Sequence, residues 1–165
     1  SYWIPGLSAA SNPNSLKSSL VSLSSSEAIT PEERNEMETL VLNFTEKYYT
    51  YSLETYIADG EKLLPLLTHD YQADYLDSLT KSYNAAQVSN ANSTVTNAMI
   101  IYCEKVTPDQ GIAKVQFQAN VLTHQVETVN RYNITLELKK EENQWRIQNI
   151  VDEDPVAFSN LEKLL

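Results

Sequence analysis

Ala113-Lys114-Val115-Gln116-Phe117-Gln118-Ala119-Asn120-Val121 places an apolar residue at every second position and a polar one between each pair. Successive side chains of a strand point to opposite faces, so this run reads as a strand with one buried and one wet side. The same period returns downstream, where Tyr132, Ile134, Leu136 and Leu138 alternate with Arg131, Asn133, Thr135 and Glu137. Upstream, Thr94 to Val106 is strand-like, and Thr107-Pro108-Asp109-Gln110-Gly111 carries the proline and glycine of a turn. Lys140-Glu141-Glu142-Asn143 closes a further hairpin, after which Trp145, Ile147 and Ile150 begin a fourth strand. Four strands joined by short connections make an antiparallel meander.

Ahead of Ser93 the period is that of helices. Thr30-Pro31-Glu32-Glu33 supplies a threonine cap, a proline at the first helical position and a glutamate three residues after the cap, the pattern of a capping box. Met37, Leu40, Val41, Phe44, Tyr48 and Tyr51 then form one apolar stripe. Glu32, Glu33, Glu36, Glu38 and Glu46 fall largely off that stripe and read as a solvated face. Leu53 to Leu67 is interrupted by Asp59-Gly60 and Pro65, which predicts two short turns rather than one rod. A third helix is predicted from about Asp70 to Ala86, capped by Thr68 or Asp70, with Tyr71, Tyr75, Leu76, Leu79 and Tyr83 to one side. Asn84 to Asn92, polar and small, reads as a connector. Amphipathic helices and a sheet with one apolar face can bury both only against each other. The fold class is therefore α+β, with N-terminal helices packed on a curved four-stranded antiparallel sheet and Trp145 facing the first helix.

The chain has 165 residues, within the span of one domain, which is expected to run from 30 to 165. Residues 1 to 29 read as a serine-rich, membrane-proximal linker, with nine serines between Ser8 and Ser26. Leu16, Leu20 and Leu23 within it have near-helical spacing and would form a short helix if something covered that face. Tyr2-Trp3-Ile4-Pro5-Gly6-Leu7 has the aromatic and apolar character of sequence that follows a membrane helix, so an anchor preceding residue 1 is expected. A tag remnant ahead of a frayed terminus is the alternative.

The net charge is −10, with 12 acidic against 5 basic side chains in residues 1 to 93, 6 against 6 in 94 to 150, and 4 against 1 in 151 to 165. Phosphate binding needs clustered lysine and arginine, and no window supplies them, so direct nucleic-acid binding is not expected. The single cysteine, Cys103, excludes an internal disulfide and a multi-cysteine zinc site, and its strand pattern predicts a buried thiol.

The sequence nominates no catalytic, cofactor-binding or metal-ligating residue, and a non-enzymatic domain without a cofactor is expected. The inward positions of the predicted strands hold no acid and no histidine. Tyr132 among them reads as a buried ring with a satisfied hydroxyl. His69 and His124 have no neighbouring histidine or cysteine at ligand spacing, and His69 with the adjacent Asp70 makes at most part of a metal's ligand set. Only Gly6, Gly60 and Gly111 are glycines, too few for a nucleophile elbow or a phosphate-cradling loop. Tyr48, Tyr49, Tyr51 and Tyr56 cluster where the first helix ends, where they either pack on the broken second helix and the linker or present rings to a partner.

The element order, with Gln144-Trp145-Arg146-Ile147-Gln148-Asn149-Ile150 after a charged hairpin, resembles the nuclear-transport-factor-like (ketosteroid-isomerase-like) superfamily of cone-shaped domains. Leu40-Val41-x-x-Phe44, Tyr48-Tyr49 and the closing Trp-x-Ile strand are similar to the extracytoplasmic domain of the bitopic assembly factor of type IV secretion and conjugation systems. The resemblance covers about residues 30 to 151. It implies a single-pass cell-membrane protein whose extracytoplasmic domain scaffolds a DNA-transfer channel, contacts other secretion-channel proteins and self-associates weakly. It implies no direct nucleic-acid binding, and membrane attachment only through an anchor outside this chain. Accessory membrane proteins of lipid-import systems have a similar layout and last strand and are the alternative, as is a small-ligand-binding domain of the same fold.

Overall fold

The computed structural model describes residues 28–156. Helix α1 spans Pro31–Tyr49, α2 spans Tyr56–Glu61, a 3-10 turn covers Leu64–Leu66, and α3 spans His69–Ser89. The strands are β1 (Ala91–Thr107), β2 (Gln110–Thr123), β3 (Val126–Glu141) and β4 (Gln144–Pro155). All neighbours are antiparallel in the order β1-β2-β3-β4, as the alternation predicts. The chain is thus α+β, helices first and an open four-stranded sheet second. The linker expected over residues 1–29, with Leu16, Leu20 and Leu23, falls almost wholly outside the described residues, but Ile29 packs against the core.

The core is the stripe of α1 pressed on the inner sheet face. Met37, Val41, Phe44, Val115, Ile134, Leu136 and Ile147 are all fully enclosed, and Trp145 is only 4% exposed. Thr45 is buried among them because its hydroxyl donates to the Val41 carbonyl one turn back, at 2.7 Å. Thr68 accepts from the Tyr71 amide at 3.3 Å and is the cap of α3. Its own amide donates to the Ile147 carbonyl at 2.9 Å, stitching the helical layer to β4.

Several boundaries depart from the sequence reading. The segment Asn84 to Asn92 is not a connector: α3 continues to Ser89, Ala86 is buried, and Asn90 ends the helix in the left-handed region at φ 51°. β1 follows at once, so it begins at Ala91 rather than Thr94. Asp59-Gly60 does not break the second helix. Both lie inside α2, because a glycine there lets Leu79 of α3 approach to within 2.5 Å of where a Cβ would stand. The break instead follows Glu61, and Pro65 sits in the 3-10 turn. Leu76, placed on the apolar side of α3 by its spacing, is 41% exposed.

The turn between β1 and β2 is Pro108-Asp109 alone, and Gln110 and Gly111 already belong to β2. Among the described residues no glycine takes a positive φ. Gly111 answers to packing, since an added Cβ would stand 2.6 Å from Met37 Cε and 3.1 Å from the Glu104 carbonyl oxygen. The β2–β3 and β3–β4 connections are two-residue turns, His124-Gln125 and Glu142-Asn143, with all four residues at positive φ. That conformation matches the right-handed twist of the flanking strands. Register shifts at Thr96/Met99, Ile100/Tyr102 and Lys105/Thr107 interrupt β1, and others at Thr135/Leu136 and Glu137/Leu138 interrupt the β3–β4 ladder. Such bulges bend a sheet and increase its local twist.

Candidate functional site

The two ends of α1 meet the sheet in different ways. At the N-terminal end Thr30 forms its half of the expected capping box, accepting from the Glu33 amide at 3.1 Å. The Glu33 carboxylate is not solvated as the off-stripe position implied. Its Oε1 accepts from Lys105 Nζ at 2.9 Å, and its Oε2 accepts from Lys140 Nζ at 3.0 Å and Trp145 Nε1 at 3.1 Å. Two cations and an indole N–H outcompete the helix's own amide for this carboxylate. Burial acting alone would raise the Glu33 pKa, but the bonds from Lys105, Lys140 and Trp145 bring it down to about 2. Glu36 adds an acceptor for the Trp145 amide at 3.2 Å, and Lys140 Nζ lies 5.6 Å from the centre of the Trp145 ring. This clasp ties the first turn of α1 to β1, β3 and β4.

At the other end α1 runs out into Tyr48-Tyr49-Thr50-Tyr51, and the sheet is not closed over. Tyr51 bridges to Ser93 through two backbone bonds of 2.9 Å, and Thr50 Oγ1 accepts from the Val95 amide at 3.1 Å. These bonds fix the segment against the start of β1 and leave α2 and α3 to wall the far side. Between them lies a cleft of about 410 Å³ lined by Tyr48, Tyr49, Tyr51, Tyr56, Tyr75 and Glu153. Lys47 and Asp59 also line it.

The rings form a contact network. Tyr48 lies 5.2 Å from Phe44, 4.8 Å from Tyr49 and 6.2 Å from Tyr75, while Tyr51 packs on Tyr56 at 5.1 Å. Tyr56 in turn packs on Tyr83 at 5.4 Å, and Tyr49 on Phe117 of the inner sheet face at 4.6 Å. The tyrosines grouped by the sequence therefore come together half-buried, packed on α2 and α3. Tyr75, which the sequence assigned only to a helix stripe, is 3% exposed and donates its hydroxyl to the Gly60 carbonyl at 2.7 Å. Tyr49 donates its hydroxyl to Glu153 Oε1.

Burial first, and after it neighbouring phenols and the Glu153 carboxylate, push the Tyr48 hydroxyl well above the ordinary phenol range. Tyr49 is raised by burial and by its bond to Glu153, and Tyr75 by burial and the nearby Tyr56 and Tyr71. Tyr71 is pushed up to about 12 by burial and then by Glu153 and Asp74. The cleft thus offers neutral phenol rings and one carboxylate at its mouth, with the Tyr49 and Tyr75 hydroxyls already donated to Glu153 and the Gly60 carbonyl.

The residues weighed from sequence as chemical candidates lie apart. His69 is exposed at the start of α3, with its backbone amide bonded to Glu141 Oε1 at 3.0 Å, and His124 is in the exposed β2–β3 turn. Among the described residues no three histidine, cysteine or acidic side chains gather as around a metal. Cys103 is 2% exposed, and burial pushes its thiol up to about 11. Tyr132 is half-buried, its ring 5.7 Å from Phe117. The sequence did not nominate Glu153, which looked like part of an acidic tail. β4 continues through it to Pro155 after the register shifts, beyond the point where the apolar alternation stops.

No protein-family model matches the sequence, and no curated protein sequence does. Among solved structures, an IcmL-like type IV secretion system protein from Legionella pneumophila is similar, with a TM-score of 0.61, 12% identity, and coverage of 76% of this chain and 95% of that one. A periplasmic fragment of TraM is similar with a TM-score of 0.53, 10% identity, and coverage of 74% of this chain and 97% of that one. At these identities the likeness is one of fold. Among the described residues no helix is long and apolar enough to cross a membrane.

Proposed function

We propose that this chain is a non-enzymatic extracytoplasmic scaffolding domain, held at the cell membrane by a single-pass anchor outside the chain, in a bacterial conjugative type IV secretion system. The observation that carries the reading is the fold likeness to the IcmL-like secretion protein and the TraM periplasmic fragment, which takes in 95% and 97% of those chains. We take the nuclear-transport-factor-like superfamily as the wider group, a reading supported by the helix-then-sheet order and the closing Trp145-x-Ile147 strand. Its partners are other channel proteins and copies of itself. A net charge of −10 argues against nucleic acid as a direct partner. Membrane tethering raises effective concentration and lets each contact be weak.

The test is a pair of titrations on the 165-residue chain. Labelled duplex and single-stranded DNA at ~0.15 M salt should show no binding tighter than roughly 10⁻⁴ M. Sedimentation over a rising concentration series should show mass increasing reversibly. Tight, salt-sensitive DNA binding refutes the scaffold reading, and a strict monomer at high concentration removes self-association from it. A second reading, a small-ligand-binding domain, is favoured by one observation, the cleft of about 410 Å³.

A further inference from the structure

We propose that the tyrosine-lined cleft binds an organic cation, an alkylammonium or alkylguanidinium head such as a lysine or arginine side chain or a free amine carries. Aromatic faces are the negative part of the ring quadrupole and attract a cation set over them. Here Tyr48, Tyr49, Tyr51, Tyr56 and Tyr75 all present to one cavity of about 410 Å³, within the roughly 300–1,000 Å³ usual for small-ligand sites.

A carboxylate completes the cage. Glu153 stands at the mouth with one oxygen taking the Tyr49 hydroxyl, and among the described residues no lysine, arginine or histidine pairs with it. The second acid of the lining is already engaged, since Asp59 accepts from Thr55 Oγ1 at 2.6 Å and Lys62 Nζ at 3.3 Å. Glu153 is therefore the carboxylate left for a ligand. A shallow hollow next to the cleft shares Tyr48, Ser78 and Glu153 and adds Tyr71, Asp74 and Asp152, so the approach is negative as well. An anion would meet these charges at close range. An uncharged apolar group would cover the second oxygen of the Glu153 carboxylate without giving it a partner, which is costly. A cation satisfies both the rings and the acid.

Among the described residues Lys47 is the one basic residue lining the cleft, and it gives the proposal an internal control. It carries the wrong charge for the ligand, so its removal must strengthen binding while removal of the Glu153 charge weakens it. Both residues are exposed, so neither substitution threatens the fold.

The experiment follows backbone and tyrosine-ring NMR shifts of the 165-residue chain during titration with N-butylguanidinium, and separately with a blocked Ala-Arg-Ala peptide. N-butylguanidinium should bind with a Kd of about 1 mM, as its few atoms allow, and shift the resonances of Tyr48, Tyr49, Tyr56 and Tyr75. Glu153→Gln should weaken it about tenfold, the loss of one charge-assisted contact, and Lys47→Met should tighten it by about two- to threefold. A peptide that binds about tenfold more tightly than the free cation assigns the site to a partner's side chain, and equal affinities assign it to a free amine. Absence of shifts at the cleft with both probes up to about 20 mM overturns the proposal. So does binding that Glu153→Gln leaves unchanged, or equal binding of N-butylacetamide, which has no charge.

Discussion

Replacing Glu33 is the sharpest perturbation of the fold, because one carboxylate joins α1 to three strands. Its side chain is 12% exposed, and those of Lys105 and Lys140 are 9% and 27% exposed. Glu33→Ala leaves the Lys105 ammonium nearly buried with no counter-charge and the Trp145 indole N–H without its acceptor. Breaking a buried pair by removing one partner costs about 3–5 kcal/mol. Lys140 recovers water on release and adds little. For a domain of this size that loss lowers Tm by roughly 10–20 °C. Glu33→Gln keeps an acceptor for the indole and loses only the charge, so its cost should be about half as large. Lys105→Met leaves the carboxylate bonded to Lys140 and Trp145 and should cost less than Glu33→Ala. The double variant should therefore cost less than the sum of the two single ones. The assay is urea unfolding by tryptophan fluorescence, read as a shift in midpoint at constant slope. The pH dependence gives an independent reading. The folded carboxyl titrates near 2 and the unfolded one near 4.5, so this stabilisation is fully present above pH 4.5 and is lost as pH falls toward 2. The stability gap between the unaltered chain and Glu33→Gln should be constant above that window and shrink within it. A Glu33→Ala variant within about 0.5 kcal/mol of the unaltered chain, or a gap that ignores pH, refutes the clasp.

Trp145→Ala removes a ring that is 4% exposed and bonded to Glu33, and should cost about 3–5 kcal/mol in urea unfolding; an unchanged midpoint would contradict its place in the core. Gly111→Ala forces a Cβ toward Met37 and the Glu104 carbonyl and should destabilise by about 1–3 kcal/mol, although no unusual φ is lost; a neutral result would return Gly111 to the turn. Cys103, 2% exposed and with its thiol raised to about 11, should react with a disulfide reagent only as fast as the chain unfolds; immediate labelling of the native protein would contradict its burial.

The sheet was legible because strand alternation is a property of neighbours in sequence. Ala113 to Val121 and Tyr132 to Leu138 needed nothing from elsewhere to declare their faces, and Trp145 followed from the same register. What stayed hidden depends on residues far apart in the chain. Glu33 looked like one of several solvated acids because Lys105, Lys140 and Trp145 lie 72, 107 and 112 positions away. Gly60 and Gly111 looked like breakers, since the sequence cannot show that Leu79 and Met37 press on them. The last residues of α3, Gln87 to Ser89, were missed because Gln87 and Ser89 are polar and Val88 is 84% exposed, so no apolar stripe continues past Ala86. The tyrosines could be grouped by proximity. Their role as cleft walls could not be read, because it depends on where α2 and α3 stand and on β4 running past its apolar residues to Glu153.

The role proposed for this domain is to serve a DNA-transfer channel through protein contacts. It is tested most directly by deleting its gene in the native cell and measuring the frequency of conjugative DNA transfer to a recipient. Transfer should be lost, the full-length gene should restore it, and a copy with Glu33→Ala should restore it poorly because the domain is destabilised. Transfer at the normal frequency without the gene would contradict it.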